Sequence, residues 1–165
     1  MSPRYGLIVE GPEDREALKK LFERLRRLRP RVRTARGNGN LRRKIESYIE
    51  LLLNRNCDKI IVLKDLDDED LNELQNEVRP RLHENARFCV AVQSIESWFL
   101  ADDQALAEVL ESSISPIHNP EDIREPKDKI RRIFRQHGKP YIAQRDLPEL
   151  AGKIRLAVLR EMSKF

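Results

Sequence analysis

Residues 59–67 read Lys-Ile-Ile-Val-Leu-Lys-Asp-Leu-Asp, and this stretch decides the fold. Residues 60–63 are continuously apolar and rich in β-branched side chains, which is typical of a central parallel strand buried on both faces. Two carboxylates, Asp65 and Asp67, follow this run directly. The stretch therefore predicts a buried strand that ends in acidic side chains.

Two more apolar runs have the same form. Residues 5–9 (Tyr-Gly-Leu-Ile-Val) are followed by Glu10, and residues 87–92 (Arg-Phe-Cys-Val-Ala-Val) are followed by a segment that contains Glu96. A weaker extended stretch covers residues 31–35, and segments with helical periodicity separate the runs. This alternation predicts an α/β fold with a mainly parallel sheet of about four strands and helices on both faces.

The chain has 165 residues, a length that indicates one domain with its own core. We assign residues 1–111 to the α/β core. Residues 112–165 are predicted to form a helical C-terminal extension packed on that core, with amphipathic helices near residues 126–136 and 146–162.

The composition excludes several classes of protein. The longest stretch without an Asp, Glu, Lys or Arg is the nine residues 112–120, whereas a membrane-spanning helix needs about 20 apolar residues. The two cysteines are too few for a disulfide framework. We therefore expect a cytoplasmic protein without a membrane partner.

The charged residues are unevenly distributed along the chain. Residues 15–44 contain thirteen basic and two acidic side chains, whereas residues 57–77 contain eight acidic and two basic ones. A metal-dependent enzyme acting on a polyanion would need both kinds of segment, because phosphates bind cations and metal ions bind carboxylates. The alternative is that most of these charges lie on solvated helix faces.

The carboxylates that follow the three strong strands are candidate site residues. Ligands of parallel sheets bind at the carboxyl ends of strands, so these side chains are expected to converge on one edge. The alternative is that they cap the following helices, which explains Asp68 and Asp70 well. It explains Glu10 less well, because Glu10 directly follows an apolar strand.

At this point the sequence resembles a known fold. Leu-Ile-Val-Glu-Gly at residues 7–11 and Ile-Ile-Val-Leu-Lys-Asp-Leu-Asp at residues 60–67 resemble the TOPRIM fold of topoisomerases, bacterial primases and OLD-type nucleases. The nuclease branch has Glu-Gly-x-x-Glu, matched here from Glu10 to Asp14, and Ser-x-Glu, matched by Ser94 and Glu96. Its later lysine is matched best by Lys127 in the Pro-Lys pair. The whole chain is similar to small stand-alone TOPRIM-like proteins of unassigned function.

The match to this pattern has three departures. Asp14 is one methylene shorter than the expected Glu, so we expect it to reach a metal ion only through water. Glu69 stands where the topoisomerase form of the motif has a third Asp. Lys129 lies two residues after Lys127 and is an alternative for the site lysine, while Lys127 itself is alternatively an ordinary solvent lysine.

The resemblance implies a two-metal site for Mg²⁺ or Mn²⁺, and the chain has no Cys or His cluster for zinc. Glu10, Asp65 and Asp67 would hold one ion. Asp14 and Glu96 would help to hold the second, and Ser94 would orient a ligand or water. The catalytic residues would be Glu10, Asp65, Asp67 and Lys127, with the lysine neutralising charge on the phosphoryl oxygens.

The basic segment supplies candidate phosphate contacts that do not depend on base sequence. The candidates for nucleic-acid binding are arginines: Arg27, Arg31, Arg33, Arg36, Arg42 and Arg43. Alternatively, these arginines dock an acidic protein partner. No aromatic residue lies between them, which gives no support for base stacking on single strands.

Three functions follow from these observations. The first is a divalent-metal-dependent nuclease acting on DNA or RNA. The second is a non-catalytic module that binds nucleic acid or an ATPase partner, with a structural or vestigial metal site. The third, a phospho-acceptor regulator, fits less well because such domains carry a pair of acids after the first strand, where this chain has Glu-Gly. The length leaves no room for the accessory domains of a topoisomerase or primase.

Overall fold

A computed structural model describes residues 2–162 of the chain. Its strands are β1 (Tyr5–Val9), β2 (Arg31–Thr34), β3 (Lys59–Asp65) and β4 (Ala86–Ala91). They form one four-stranded sheet in the order β2-β1-β3-β4, and every neighbouring pair is parallel. The predicted α/β class and parallel sheet are therefore confirmed.

Eight helices cover the sheet in the part of the chain that the structure describes. In chain order they are α1 (Pro12–Arg26), α2 (Asn38–Leu53), α3 (Leu71–Val78), α4 (Glu96–Leu100), α5 (Asp103–Leu110), α6 (Pro126–Gln136), α7 (Ala143–Lys153) and α8 (Leu156–Glu161). None of them is long and apolar enough to span a membrane, as far as residues 2–162 show.

The two faces of the sheet bury separate apolar cores, because successive side chains of a strand point to opposite sides. Leu7, Val9 and Leu63 pack with α1 and with helices of the C-terminal half. Ile8 and Val62, with further side chains of β3 and β4, pack with α2 and α3. The sheet is thus covered on both faces, as predicted.

The first helix ends earlier than its sequence pattern indicates. The helical spacing of apolar residues from 18 to 28 predicts a helix that Pro30 ends. In the structure α1 ends at Arg26, and Arg27 adopts a left-handed conformation with φ of 54°. The Arg27 N–H donates to the carbonyl of Glu23, which satisfies one of the last helical carbonyls.

The sequence after Trp98 predicts a helix through Leu106 to Leu110, and the structure interrupts this segment at Asp102. This residue is fully buried and caps α5, because its carboxylate accepts from the backbone N–H groups of Gln104 and Ala105. The same carboxylate accepts from the backbone and guanidinium of Arg155, 53 residues later. Asp102 therefore joins the start of α5 to the segment before α8.

The C-terminal helices pack on the same core as the first half of the chain. Helix α6 has the predicted bounds, whereas the second predicted helix, near residues 146–162, starts at Ala143 and is divided into α7 and α8. Helix α7 packs against α1, where Arg24 donates to the carbonyl of Ala151 at 2.6 Å. The domain boundary at residue 111 stays a prediction. The last three residues of the predicted extension, 163–165, lie outside the described residues.

Candidate active site

The candidate site lies at the carboxyl edge of the sheet, where β1, β3 and β4 end. Ile8 pairs with Val62 in the parallel register, which brings Glu10 beside the end of β3. Neighbouring strands lie about 4.8 Å apart, so Glu10 and Asp65 are close in space. Asp65 is itself the last residue of β3 and pairs with Ala91 at the end of β4.

The turns after β3 and β4 are tied together by backbone hydrogen bonds. Leu66 donates to the carbonyl of Ala91, and Asp67 donates to the carbonyl of Gln93, both at 2.8 Å. Asp67 and Gln93 have φ values of 51° and 61°, a left-handed conformation that is uncommon for residues other than glycine. Strained backbone of this kind is often concentrated at functional sites.

Asp65, Ser94 and Glu96 form the buried part of the site. One oxygen of Asp65 accepts from the backbone N–H of Ile95 at 3.0 Å, and the other lies 3.7 Å from the Nζ of Lys127. The Ser94 hydroxyl donates to Glu96 at 2.7 Å, and both of these side chains are 2% exposed. The serine hydroxyl therefore fixes the orientation of the glutamate carboxylate.

The buried carboxylates repel one another. Burial raises the pKa of Asp14 to about 7, with a further contribution from the charge of Glu96. Burial also raises the pKa of Asp65 well above its ordinary value, and Asp14 and Glu96 add to the effect. Asp14, at the start of α1, thus belongs to the same cluster as Asp65 and Glu96, despite its shorter side chain.

Lys127 is the cation of this cluster. Burial lowers its pKa, but the charges of Asp65, Glu96 and Asp14 outweigh that effect, so the pKa is raised above its ordinary value and the ammonium stays protonated. Lys129, the alternative candidate, instead lines a separate depression with Ser113 and other residues of the 113–118 loop. The geometry therefore favours Lys127 as the site lysine.

Glu10 lies on the other face of the sheet edge, near Lys64 and Asp67. Burial raises its pKa, the charge of Lys64 lowers it and the charge of Asp67 raises it, for a net increase. Within residues 2–162, the buried Oε2 atom of Glu10 has no hydrogen-bond partner. A buried carboxylate oxygen without a partner is costly unless a cation or a donor completes its shell.

These observations fit a divalent cation with oxygen ligands. The site has more carboxylates than nearby cations, three of their pKa values are raised, and one oxygen is unpartnered. Mg²⁺ and Mn²⁺ prefer such ligands. In the described residues, however, no three Asp, Glu, His or Cys side chains are arranged to hold one ion as they stand. Ligation would require the carboxylates to turn toward a common point.

The loop before α2 brings basic residues to the same edge. Gly37, with φ of 116°, donates its N–H to the carbonyl of Glu10 at 2.9 Å. Only glycine adopts this conformation readily. Arg36 directly precedes it, and Arg43 is held by the side chain of Asn40 at 2.7 Å in the first turns of α2. Arg36 and Arg43 are therefore near the candidate site.

The other four predicted nucleic-acid contacts lie away from the carboxylates or already have partners. Helix α1 runs away from the site over about 21 Å, so Arg27 lies at the opposite edge of the sheet, where Arg31 begins β2. Arg33 stacks over the ring of Tyr48, 5.1 Å from its centroid. Arg42 forms ion pairs with Glu69 and Glu77. Glu69 also accepts from Lys64, so Arg42 lies at the carboxyl edge, but acidic partners occupy its guanidinium. The structure does not bring Arg27 and Arg31 together with the carboxylates.

Two features of the site were missed by the sequence interpretation. Lys64 is 1% exposed and donates to the carbonyl of Asp65 at 2.7 Å and to Glu69. Its signal was a lysine at the end of a strand that is buried on both faces. The second feature is the basic composition of α6 and its flanking residues, since residues 124–139 include seven Lys and Arg and two acidic residues.

The fold is similar to that of solved proteins at low sequence identity. The C-terminal region of the Burkholderia pseudomallei OLD protein matches with a TM-score of 0.55 at 18% identity, covering 96% of this chain and 91% of that one. The C-terminal region of the Xanthomonas campestris pv. campestris OLD protein matches with a TM-score of 0.53 at 18% identity, covering 94% and 88%. These likenesses support the OLD-like part of the sequence resemblance at the level of the fold.

Comparisons of the sequence itself identify a family. No curated protein matches the chain. Residues 9–165 match the family described as Domain of unknown function (DUF4276), and this span includes every residue of the candidate site. The chain belongs to this family.

Proposed function

We propose that the protein is a divalent-metal-dependent nuclease that hydrolyses phosphodiester bonds of DNA or RNA. The observation that carries the proposal is the cluster of carboxylates at the carboxyl edge of the sheet, with Lys127 among them. The fold likeness to OLD C-terminal regions and the resemblance of the motifs to OLD-type nucleases support it.

The charges suggest how the cluster would divide between two ions. Asp65 interacts most strongly with Asp14 among its acidic neighbours, and then with Glu96. Glu10 lies near Asp67 on the other side of the strand end, and its charge also acts on Asp14 and Asp65. We therefore assign Asp14, Asp65 and Glu96 to one Mg²⁺ or Mn²⁺ and Glu10 and Asp67 to a second, which differs from the division expected from the sequence.

The residues of the chain then have separate tasks. The bound ions would activate water as the nucleophile and stabilise the leaving oxygen. Ser94 holds Glu96 in place through its hydroxyl. Lys127 stays protonated beside Asp65 and is available to neutralise charge on the phosphoryl oxygens in the transition state. Arg36 and Arg43 are placed to contact flanking phosphates.

The test is a cleavage assay with purified protein on supercoiled plasmid, linear DNA and RNA. Each substrate is incubated with Mg²⁺, with Mn²⁺ and with EDTA. We expect metal-dependent cleavage by the wild type and at least an about 100-fold loss in Glu10→Gln and Asp65→Asn, because several kcal/mol of metal-derived stabilisation are removed. Glu73→Gln, an exposed change in the same acidic segment, is the matched control and should cleave normally.

Equal cleavage by all four proteins would contradict the proposal, because a contaminating nuclease would then account for the activity. Absence of cleavage on every substrate, with both metals, would also contradict it for the protein acting alone. A partner ATPase would be the remaining requirement, and the sequence resemblance alone supports such a partner.

One observation favours a second candidate, a non-catalytic nucleic-acid-binding module. In residues 2–162 no three potential ligands already share a metal-binding position. This candidate predicts that DNA or RNA binds without cleavage, and that binding is unchanged in Asp65→Asn.

A further inference from the structure

Helix α6 connects the candidate site to a second basic surface. It begins with Pro126 and Lys127 at the site, and its segment carries more cations than its two acids can balance. Ile130, Ile133 and Phe134 bury one face of the helix in the core. The basic side chains must therefore lie on the remaining, solvent-facing surface.

Three of these cations lie in one row. Lys127, Arg131 and Arg135 are four residues apart, so they occupy the same side of the helix with a rise of about 6 Å between them. Arg131 and Arg135 are exposed. The row starts 3.7 Å from Asp65, at Lys127, and leads away from the carboxylates.

A groove of about 500 Å³ lies along the far part of this row. It is lined by Arg131, Arg135, Gly138, Lys139, Pro140 and Tyr141. The ring of Tyr141 packs edge-on against Phe134, with 5.1 Å between centroids. Its hydroxyl is buried and has no hydrogen-bond partner in the described part of the chain, so it is not exposed to the groove as a donor.

The positive charge of the groove is only partly balanced. Arg131 pairs with Asp128 at 3.0 Å, and Lys139 lies 3.5 Å from Glu111. Both pairs are exposed, so water and salt weaken them. Arg135 forms no ion pair among residues 2–162. A polyanion would therefore gain charge contacts here without breaking a buried ion pair.

We propose that this groove holds the phosphodiester backbone of a nucleic-acid strand next to the phosphate that is cleaved. The inference rests on the proposed function, because the row of cations begins at the lysine of the candidate catalytic site. Cations at regular intervals suit a strand whose phosphates recur regularly, and such contacts do not depend on base sequence. The proposal takes DNA and RNA strands as one ligand class, because both present the same phosphodiester.

The test measures binding without cleavage. Fluorescence anisotropy of labelled single-stranded DNA and RNA oligonucleotides is recorded in EDTA between 50 and 200 mM salt. For the double variant Arg131→Ala and Arg135→Ala, we expect the slope of log K against log salt to fall in magnitude by about 1.4, or about 0.7 for each lost phosphate contact. The dissociation constant at low salt should rise at least about tenfold.

Arg132→Ala is the matched control. Arg132 is an exposed arginine of the same helix, but it does not line the groove. Its slope and affinity should stay close to those of the wild type. The proposal would be overturned if the double variant and the control had equal effects on binding per arginine removed. It would also be overturned if polyglutamate displaced the labelled oligonucleotide as effectively as unlabelled oligonucleotide does. Circular dichroism checks that each variant is folded.

The groove and the nuclease can fail separately. If the double variant has the salt slope of the wild type and metal-dependent cleavage is observed, the groove proposal is overturned and the nuclease proposal stands. If the double variant and the wild type differ clearly in salt slope and no substrate is cleaved, the groove proposal is supported and the nuclease proposal is overturned. A strong preference for DNA or RNA in these titrations would identify which strand the groove accepts.

Discussion

At the scale of single residues, Asp14 shows most clearly how the candidate site lowers the stability of the folded protein. Its pKa in the folded protein is about 7, well above the value of about 3.9 that an aspartate has in an unfolded chain. A raised pKa means that the folded state binds the proton more tightly. The resulting stabilisation is present at low pH and is lost as the pH rises from about 4 through about 7.

This sign gives the first prediction. Without divalent metal, Asp14→Asn should raise the free energy of unfolding at pH 8 by about 1 to 2 kcal/mol, because a repelled carboxylate is removed. The increase in Tm should be about 5 °C at pH 8 and should shrink toward pH 5. Thermal unfolding at both pH values, beside the exposed control Glu16→Gln, is the measurement. A difference that grows toward acid pH would show that the sign is wrong.

Lys64 is a buried cation beside the candidate site. Its ammonium donates to the carbonyl of Asp65 and to Glu69, and its charge lowers the pKa of Glu10. Lys64→Ala should destabilise the protein by about 3 kcal/mol, because it leaves buried partners unsatisfied and creates a cavity.

Lys59→Ala is the control for this second prediction, because Lys59 is exposed at the other end of the same strand. Its cost should stay within about 0.5 kcal/mol. Urea unfolding of both variants measures the two costs, and equal destabilisation would contradict the role given to Lys64.

At the scale of elements, the break between α4 and α5 depends on Asp102. Burial raises the pKa of Asp102, but hydrogen bonds from Arg155 and Ala105 outweigh it, and the pKa is lower than usual. Asp102→Ala should therefore cost about 2 to 3 kcal/mol, because a helix cap and a link to the segment before α8 are both lost.

The pH dependence gives this third prediction its check. A lowered pKa contributes stability that is present above about pH 4 and is lost as the pH falls through the folded value. The difference between wild type and Asp102→Ala should thus narrow in strong acid. Unfolding curves at pH 7 and pH 3 measure it, and a gap that is the same at both would contradict the account.

The elements also show what local sequence can predict. The apolar runs of β1, β3 and β4 and the acids after them were predictable, because a buried strand and its first exposed residue are adjacent in sequence. The end of α1 at Arg26 and the break at Asp102 were not, because they depend on a left-handed turn and on Arg155, 53 residues away. The basic residues of α6 are visible in the sequence, but the sequence does not show which surface lies beside them.

At the scale of the whole molecule, the basic segment does not act as one surface. Arg36 and Arg43 lie at the carboxyl edge near Glu10, whereas Arg27 and Arg31 lie at the opposite edge. Charge counts along the chain could not reveal this, because α1 carries its C-terminal end away from the site. Because β1 and β2 are parallel, α1 carries the chain back to the opposite edge of the sheet before β2 begins. This return separates Arg27 and Arg31 from Arg36 and Arg43.

The fourth prediction follows from this separation. The double variant Arg36→Ala and Arg43→Ala should weaken oligonucleotide binding at low salt by at least about tenfold, because two phosphate contacts near the site are lost. The double variant Arg27→Ala and Arg31→Ala should have a clearly smaller effect. Anisotropy titrations in EDTA compare the two, and the reverse order would contradict the placement of the substrate at the carboxyl edge.

The central claim is that carboxylates from separate strand ends form one centre that holds two divalent ions. Isothermal titration of Mn²⁺ into metal-free protein tests it most directly. We predict binding by the wild type and by Glu73→Gln, and at least an about tenfold weaker affinity in Glu10→Gln and Asp65→Asn. Equal Mn²⁺ affinity in all four proteins, or no binding by the wild type, would contradict the claim.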